Sequence, residues 1–164
     1  MISFKQFITE SKSAPLYHAT RYGNAGFILG ENTLKPSRRA GQLGGNNIAQ
    51  AISLTRSIKT ARDWVPESTR VIFELDQNKL AQNYKITPVN MANAWRDSGM
   101  RSDGRRPMLN SKHEELFEEM VNKPITDLSK YLTKVIVDMS DTWLLPENVR
   151  THKLLYMNGK FVNQ

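Results

Sequence analysis

The sequence predicts an α+β domain, on three observations. Its apolar residues gather in short runs rich in valine, isoleucine, leucine and aromatics, and short segments of helical spacing lie between them. The intervals are irregular, without repeats or low-complexity tracts, which argues against regular βαβ winding. The 164 residues amount to one domain at ~100–200 residues per domain.

Each element follows from local pattern. Residues 1–10 place Phe4, Phe7 and Ile8 at i, i+3, i+4, a short amphipathic helix, and residues 11–15 form a polar linker ending in Pro15. The apolar core of the helix is too short for a secretory signal, and Lys5 and Glu10 interrupt it. The expected organisation is therefore a leader and linker over 1–14 and a single domain over 15–164. Residues 16–19 read as a strand. Asn24 caps a helix running through Leu29, with Ala25, Ile28 and Leu29 on one side and Gly30 as the stop. Residues 30–50 are loop-like, and 51–55 form a strand. Ser57 caps the next helix, which passes through Ala61 to about Val65 and is closed by Pro66. Residues 70–76 alternate as a strong strand, 78–82 make a helical turn, and 84–89 are again extended. Residues 90–112 read as a short helix and a loop holding Trp95, Arg96, Arg101, Arg105 and Arg106. The charged segment 114–121 turns into a strand. A helical turn at 128–132 leads to the strand 134–137. The tail offers a turn at 146–150 and a hairpin, 153–157 with 161–162, around Asn158-Gly159.

Composition narrows the chemistry. The chain has no cysteine, which excludes disulfides, thiolate zinc sites, iron–sulfur clusters and a cysteine nucleophile. His18, His113 and His152 are far apart in sequence, so no metal site is expected. No apolar run approaches the ~18 residues of a membrane span, so no membrane partner is expected. Carboxylates, histidine, hydroxyls and cations remain. Lys and Arg number 23 against 16 Asp and Glu, a formal charge of +7, and the cations cluster at 35–39 and 96–106. Such clusters suit phosphate contacts with nucleic acid, or simply a solvated surface.

Three segments stand out in order: Leu16-Tyr17-His18-Ala19-Thr20, then Ile52-Ser53-Leu54-Thr55-Arg56, then Phe117-Glu118-Glu119-Met120-Val121. His18 and Ser53/Thr55 read equally as ordinary strand residues, and Glu118-Glu119 beside Glu114-Glu115 as a solvated helix face. Acidic i, i+4 pairs disfavour that helix. Taken together, the order of the three segments resembles the ADP-ribosyltransferase superfamily, over roughly residues 16–138. The resemblance implies a split pair of small antiparallel sheets with short peripheral helices, clamping NAD between them. It implies transfer of ADP-ribose from NAD to an acceptor with release of nicotinamide. Breaking that glycosidic bond passes through a cationic ribose, which a carboxylate stabilises. By the resemblance Glu119 is the first choice for this carboxylate and Glu118 the adjacent alternative; on a strand only one of the two can enter the cleft. His18 would hydrogen-bond a ribose hydroxyl, the backbone of Ala19 would clamp the carboxamide, and Thr20 would help at the same end. Ser53 and Thr55 would line the cleft and support the carboxylate, and Arg56 would meet the pyrophosphate. Tyr22 and Trp64 are the candidates for stacking on nicotinamide. One branch of the family has Arg where this chain has His18, and the other has Tyr in the second motif. Phe117 stands two before Glu119, where arginine-modifying members carry Gln or Glu, so the acceptor stays open between host protein and nucleic acid.

Residues 1–10 also resemble the capsid-targeting leaders of internal head proteins in large tailed bacteriophages, which are cut after Glu in an apolar-X-Glu context matched by Ile8-Thr9-Glu10. This implies packaging in a phage head, contacts with phage DNA or head proteins, and delivery to the host cytoplasm; a monomer is expected, and nothing in the sequence identifies the oligomeric state. The alternatives are an NAD-dependent RNA 2′-phosphotransferase using the same cleft, and a non-enzymatic DNA-binding or anti-defence internal head protein.

Overall fold

The structure, a computed structural model, describes residues 14–36, 51–90, 117–138 and 141–164. β1 (Leu16–Arg21), the β-branched runs β4 (Arg70–Leu75) and β8 (Leu132–Val137), and β9 (Leu155–Met157) and β10 (Lys160–Phe161) form a five-stranded sheet in the order β1-β4-β8-β9-β10. The mixture of short helices and sheets makes the chain α+β.

Alternation in β4 would leave one face wet, yet all six of its residues are buried. Phe73 joins Leu16, Val135 and Val137 in the main core. On the other face Ile72 packs with Ile136 and with Ala61 of α2 (Ile58–Trp64). The polar residues of β4 tolerate burial because each finds an ionic partner. Arg70 pairs with Asp138 at 2.9 Å, and Glu74 pairs with Lys134 at 3.1 Å while accepting from Thr133 at 2.8 Å. Burial and the same Glu74 push the Tyr17 phenol up to about 12.

A second, three-stranded sheet has the order β3-β6-β5, from β3 (Ile52–Leu54), β6 (Phe117–Val121) and β5 (Thr87–Asn90). It meets the first where Tyr17 and Thr55 exchange two backbone hydrogen bonds of 2.7 and 3.0 Å. A third pairs β2 (Thr33–Leu34) with β7 (Ile125–Thr126). One pairing departs from the all-antiparallel sheets expected: β9 runs parallel to β8, because the tail crosses back over the domain before the hairpin closes. That hairpin turns at Asn158 and Gly159, both at positive φ (50° and 79°), as the Asn-Gly pair predicts.

The first helix corrects two expectations. It spans Tyr22–Glu31 (α1), so Asn24 lies inside it instead of capping it, and it continues through Gly30. It stops at Asn32, which adopts φ 50° and accepts a hydrogen bond at its side-chain oxygen from the Ser129 N–H, 2.8 Å away. Asparagine tolerates this left-handed geometry, and the tertiary hydrogen bond selects it over the glycine stop. The Ser57 cap falls where expected: it accepts from Thr60 N–H at 3.2 Å and opens α2. Asp76 accepts from Lys79 N–H at 3.0 Å and opens α3 (Gln77–Ala81). The extended run at 84–89 shortens to β5, because Tyr84 turns aside to pack edge-on against Tyr131, with centroids 5.8 Å apart. A last helix, α4 (Glu147–Arg150), packs on α1. The expected leader over 1–10, most of the expected loop over 30–50 with Arg38 and Arg39, Trp95, the arginines at 96–106 and Glu114-Glu115 lie outside the described residues.

Candidate functional site

Strand β1 alternates across its sheet, so Leu16, His18 and Thr20 share the face that meets Leu75, Phe73 and Val71 of β4. His18 Nδ1 lies 3.0 Å from the Ser53 carbonyl oxygen. A carbonyl only accepts, so Nδ1 carries the proton. Burial lowers the imidazole pKa, outweighing that hydrogen bond. His18 is therefore a neutral ring whose Nε2 is an acceptor.

A cleft of about 460 Å³ opens beside it. One wall is His18, Ala19 and Thr20; another is the α1 stripe Asn24, Phe27, Ile28 and Glu31, residues spaced to share one helix face. Leu34 and Lys35 close one end, Lys35 pairing with Glu31 at 2.6 Å. The backbone of β1 contributes as well. Tyr17 spends both its N–H and its C=O on Thr55. In an antiparallel strand the groups two residues along point to the same edge, so those of Ala19 face outward, and no described residue bonds them.

Consecutive residues of a strand face opposite sides, and β6 separates its two glutamates accordingly. Glu119 stands opposite Leu54, on the face that Ile52, Leu54 and Val121 bury in the main core. It is 1% exposed and bound by Arg56 Nε at 2.6 Å. Burial raises its carboxyl pKa despite the opposing guanidinium. Glu118 lies on the other face and accepts the Ser53 hydroxyl hydrogen. Burial raises its pKa too, and the Ser53 hydrogen bond offsets part of this.

The structure thus joins His18, Ser53 and Glu118 in one chain of contacts, with Ala19 and Thr20 beside them at the cleft. It directs Glu119, the first choice from sequence, into the core. Arg56, expected at a pyrophosphate, has a side chain 7% exposed and is engaged with Glu119. Thr55, expected to line the cleft, is buried, and its Oγ1 accepts from the Ser57 N–H at 3.2 Å, shaping the turn into α2. Tyr22 packs against the main core, and Trp64 belongs to α2 on the far face of the sheet. Sequence reasoning passed over Phe27, whose side chain is 75% exposed at the cleft; the 24, 27, 28, 31 periodicity of α1 was the available signal. Among the described residues no cluster of three or more acidic residues and histidines is placed to hold a metal, and no helix is long and apolar enough to cross a membrane. Comparison of the chain with protein-family models and with curated proteins finds no match.

Proposed function

We propose that the protein is an NAD-dependent mono-ADP-ribosyltransferase with the split-sheet fold of that superfamily, acting on a host macromolecule. The observation that carries this reading is the contact chain from His18 through Ser53 to Glu118, whose His18 end lines a cleft beside an Ala19 backbone that no described residue bonds. The meeting of β1 and β3 at Tyr17 and Thr55, with separate sheets beyond it, further supports it.

In this reading Glu118, not Glu119, is the catalytic carboxylate. The outward N–H and C=O of Ala19 hold the nicotinamide carboxamide, which offers one acceptor and two donors. Neutral His18 accepts a ribose hydroxyl hydrogen at Nε2. The bond between ribose C1′ and the nicotinamide nitrogen then breaks, its electron pair leaving with nicotinamide. Ionised Glu118 faces the positive charge left on the ribose, oriented by the Ser53 hydroxyl, and this differential stabilisation lowers the barrier. An acceptor nucleophile forms the new bond to C1′ and gives up its proton. The leader-like residues 1–10 extend the proposal to packaging in a phage head and release into the host cytoplasm.

The test is nicotinamide release from NAD by the purified protein, with and without host lysate, against Glu118→Gln. Release that falls by about 10²-fold or more in the variant is expected. An inactive parent that binds DNA in a salt-dependent way would favour the non-enzymatic alternative. Activity only on a 2′-phosphorylated oligonucleotide would favour the phosphotransferase.

A further inference from the structure

The Arg56–Glu119 pair is the feature that the proposed chemistry leaves unused. Its side chains are 7% and 1% exposed and 2.6 Å apart. A buried ion pair is a poor source of stability, since desolvation consumes most of the attraction and an apolar pair of similar volume often serves as well. Its position suggests another role. Glu119 adjoins Glu118 at the start of β6, and Arg56 lies two residues beyond Leu54, where β3 ends. The two consecutive glutamates are therefore both tied to the same neighbouring segment: Glu119 to Arg56 on the core face, Glu118 to Ser53 on the other. Backbone pairing with β3 stops at Leu54–Glu119, whereas β5 still pairs with Glu118 through Val89, so the approach of Glu118 to β3 rests on side chains.

We infer that Arg56 and Glu119 form a positioning clamp that fixes the end of β6 against β3 and so holds Glu118 on Ser53. The inference rests on the reading of Glu118 as the catalytic carboxylate. A carboxylate beneath a developing cation acts only from a narrow range of positions, and a displacement of about 1 Å costs on the order of 10²-fold in rate. Arg56 and Glu119 touch neither substrate nor reacting atoms in this account; they act through the strand.

The decisive variant is the double substitution Arg56→Met with Glu119→Leu, which removes both charges of the pair. The full-length variant should melt at or above the parent temperature and keep its KM for NAD within about twofold, while kcat for nicotinamide release falls about tenfold to a hundredfold. Arg56→Lys, which keeps a cation opposite Glu119, should recover most of kcat. A readout without NAD is the Glu118 side-chain carboxyl carbon resonance. It should move in the double variant to the position it takes in Ser53→Ala, where the hydroxyl donor is missing. An unchanged resonance overturns the clamp whether or not the protein cleaves NAD, and so does an unchanged kcat in a fully folded double variant. An inactive parent whose resonance moves as expected would instead refute the enzymatic reading and leave the clamp standing. If the double variant fails to fold, Arg56→Lys carries the comparison: a native resonance and near-native kcat support the clamp, and a displaced resonance with native kcat overturns it.

Discussion

Ser53 touches both ends of the candidate site at once: its backbone carbonyl takes the Nδ1 hydrogen of His18, and its hydroxyl gives a hydrogen to Glu118. One residue of β3 thereby links β1 to β6, strands of two different sheets. The consequence is electrostatic as well as geometric. Burial raises the Glu118 carboxyl, and a donor that bonds its ionised form opposes that rise. Ser53→Ala removes the donor, so the Glu118 pKa rises further. With the ionised form active, the acid limb of the kcat profile moves to higher pH and kcat falls along that limb. The backbone carbonyl is untouched, so the His18 contact persists. A full pH–rate profile of both proteins measures this, and a stationary acid limb would separate Ser53 from the ionisation of Glu118.

The two adjacent glutamates should behave in opposite ways. Glu119→Gln removes the carboxylate charge 2.6 Å from the buried Arg56 Nε, at a cost of about 3 kcal/mol in stability. Glu118→Gln removes a carboxyl that burial penalises. A carboxyl with a raised pKa in the folded state loses stability as pH rises from its unfolded to its folded value. At neutral pH, Glu118→Gln should therefore melt at or above the parent while losing nicotinamide release. Paired denaturation and activity measurements distinguish the residues; loss of activity in folded Glu119→Gln with full activity in Glu118→Gln would reverse the assignment.

The elements were legible where a local cause is sufficient. Ser57 caps its helix through its own side chain, and Asn158-Gly159 turns its hairpin through its own backbone. His18 and Ser53 were legible as polar interruptions of apolar strands. The helix end was not, because Asn32 displaced the Gly30 stop through a hydrogen bond to Ser129, 97 positions away. Nor were β2 and β7, two-residue strands that exist only by pairing Thr33 with Thr126 and Leu34 with Ile125. The choice between Glu118 and Glu119 was likewise hidden. Phe-Glu-Glu-Met-Val places one glutamate and at least one apolar residue on each face, so alternation alone favours neither; the registers of β3 and β6 decide it.

Acid should expose a second set of charges. Burial alone would raise the Asp138 carboxyl, but hydrogen bonds from Arg62 and Arg70 outweigh it and hold the pKa below the ordinary aspartate value. A carboxyl depressed in the folded state contributes stability above its unfolded pKa and loses it as pH falls through the folded one. Asp138→Asn should therefore destabilise the protein by about 2 kcal/mol at neutral pH, as Arg70 loses a charged acceptor at 2.9 Å. The difference between the two proteins should shrink toward acid. Urea midpoints across the acid range measure it, and a difference independent of pH would mean packing rather than charge.

The wall of the cleft depends on a close approach that only glycine permits. A Cβ built on Gly26 of α1 would lie 2.9 Å from both Cβ and Cγ of Pro146, which begins α4. The proline ring cannot swing aside, and the Asn148 side-chain amide fixes the same contact by donating to the Gly26 carbonyl at 2.7 Å. Gly26→Ala must therefore push the two helices apart, at about 1–3 kcal/mol, despite alanine's better helix propensity. Because Asn24, Phe27 and Ile28 of the same helix line the cleft, the displacement should also weaken NAD binding. Gly23→Ala is the matched control, since a Cβ there meets nothing within 4 Å. It should raise stability slightly, by up to about 1 kcal/mol, and leave binding unchanged. Thermal melts and NAD titration of the two variants test the pair, and equal behaviour at positions 23 and 26 would show that the α1–α4 contact does not set the cleft.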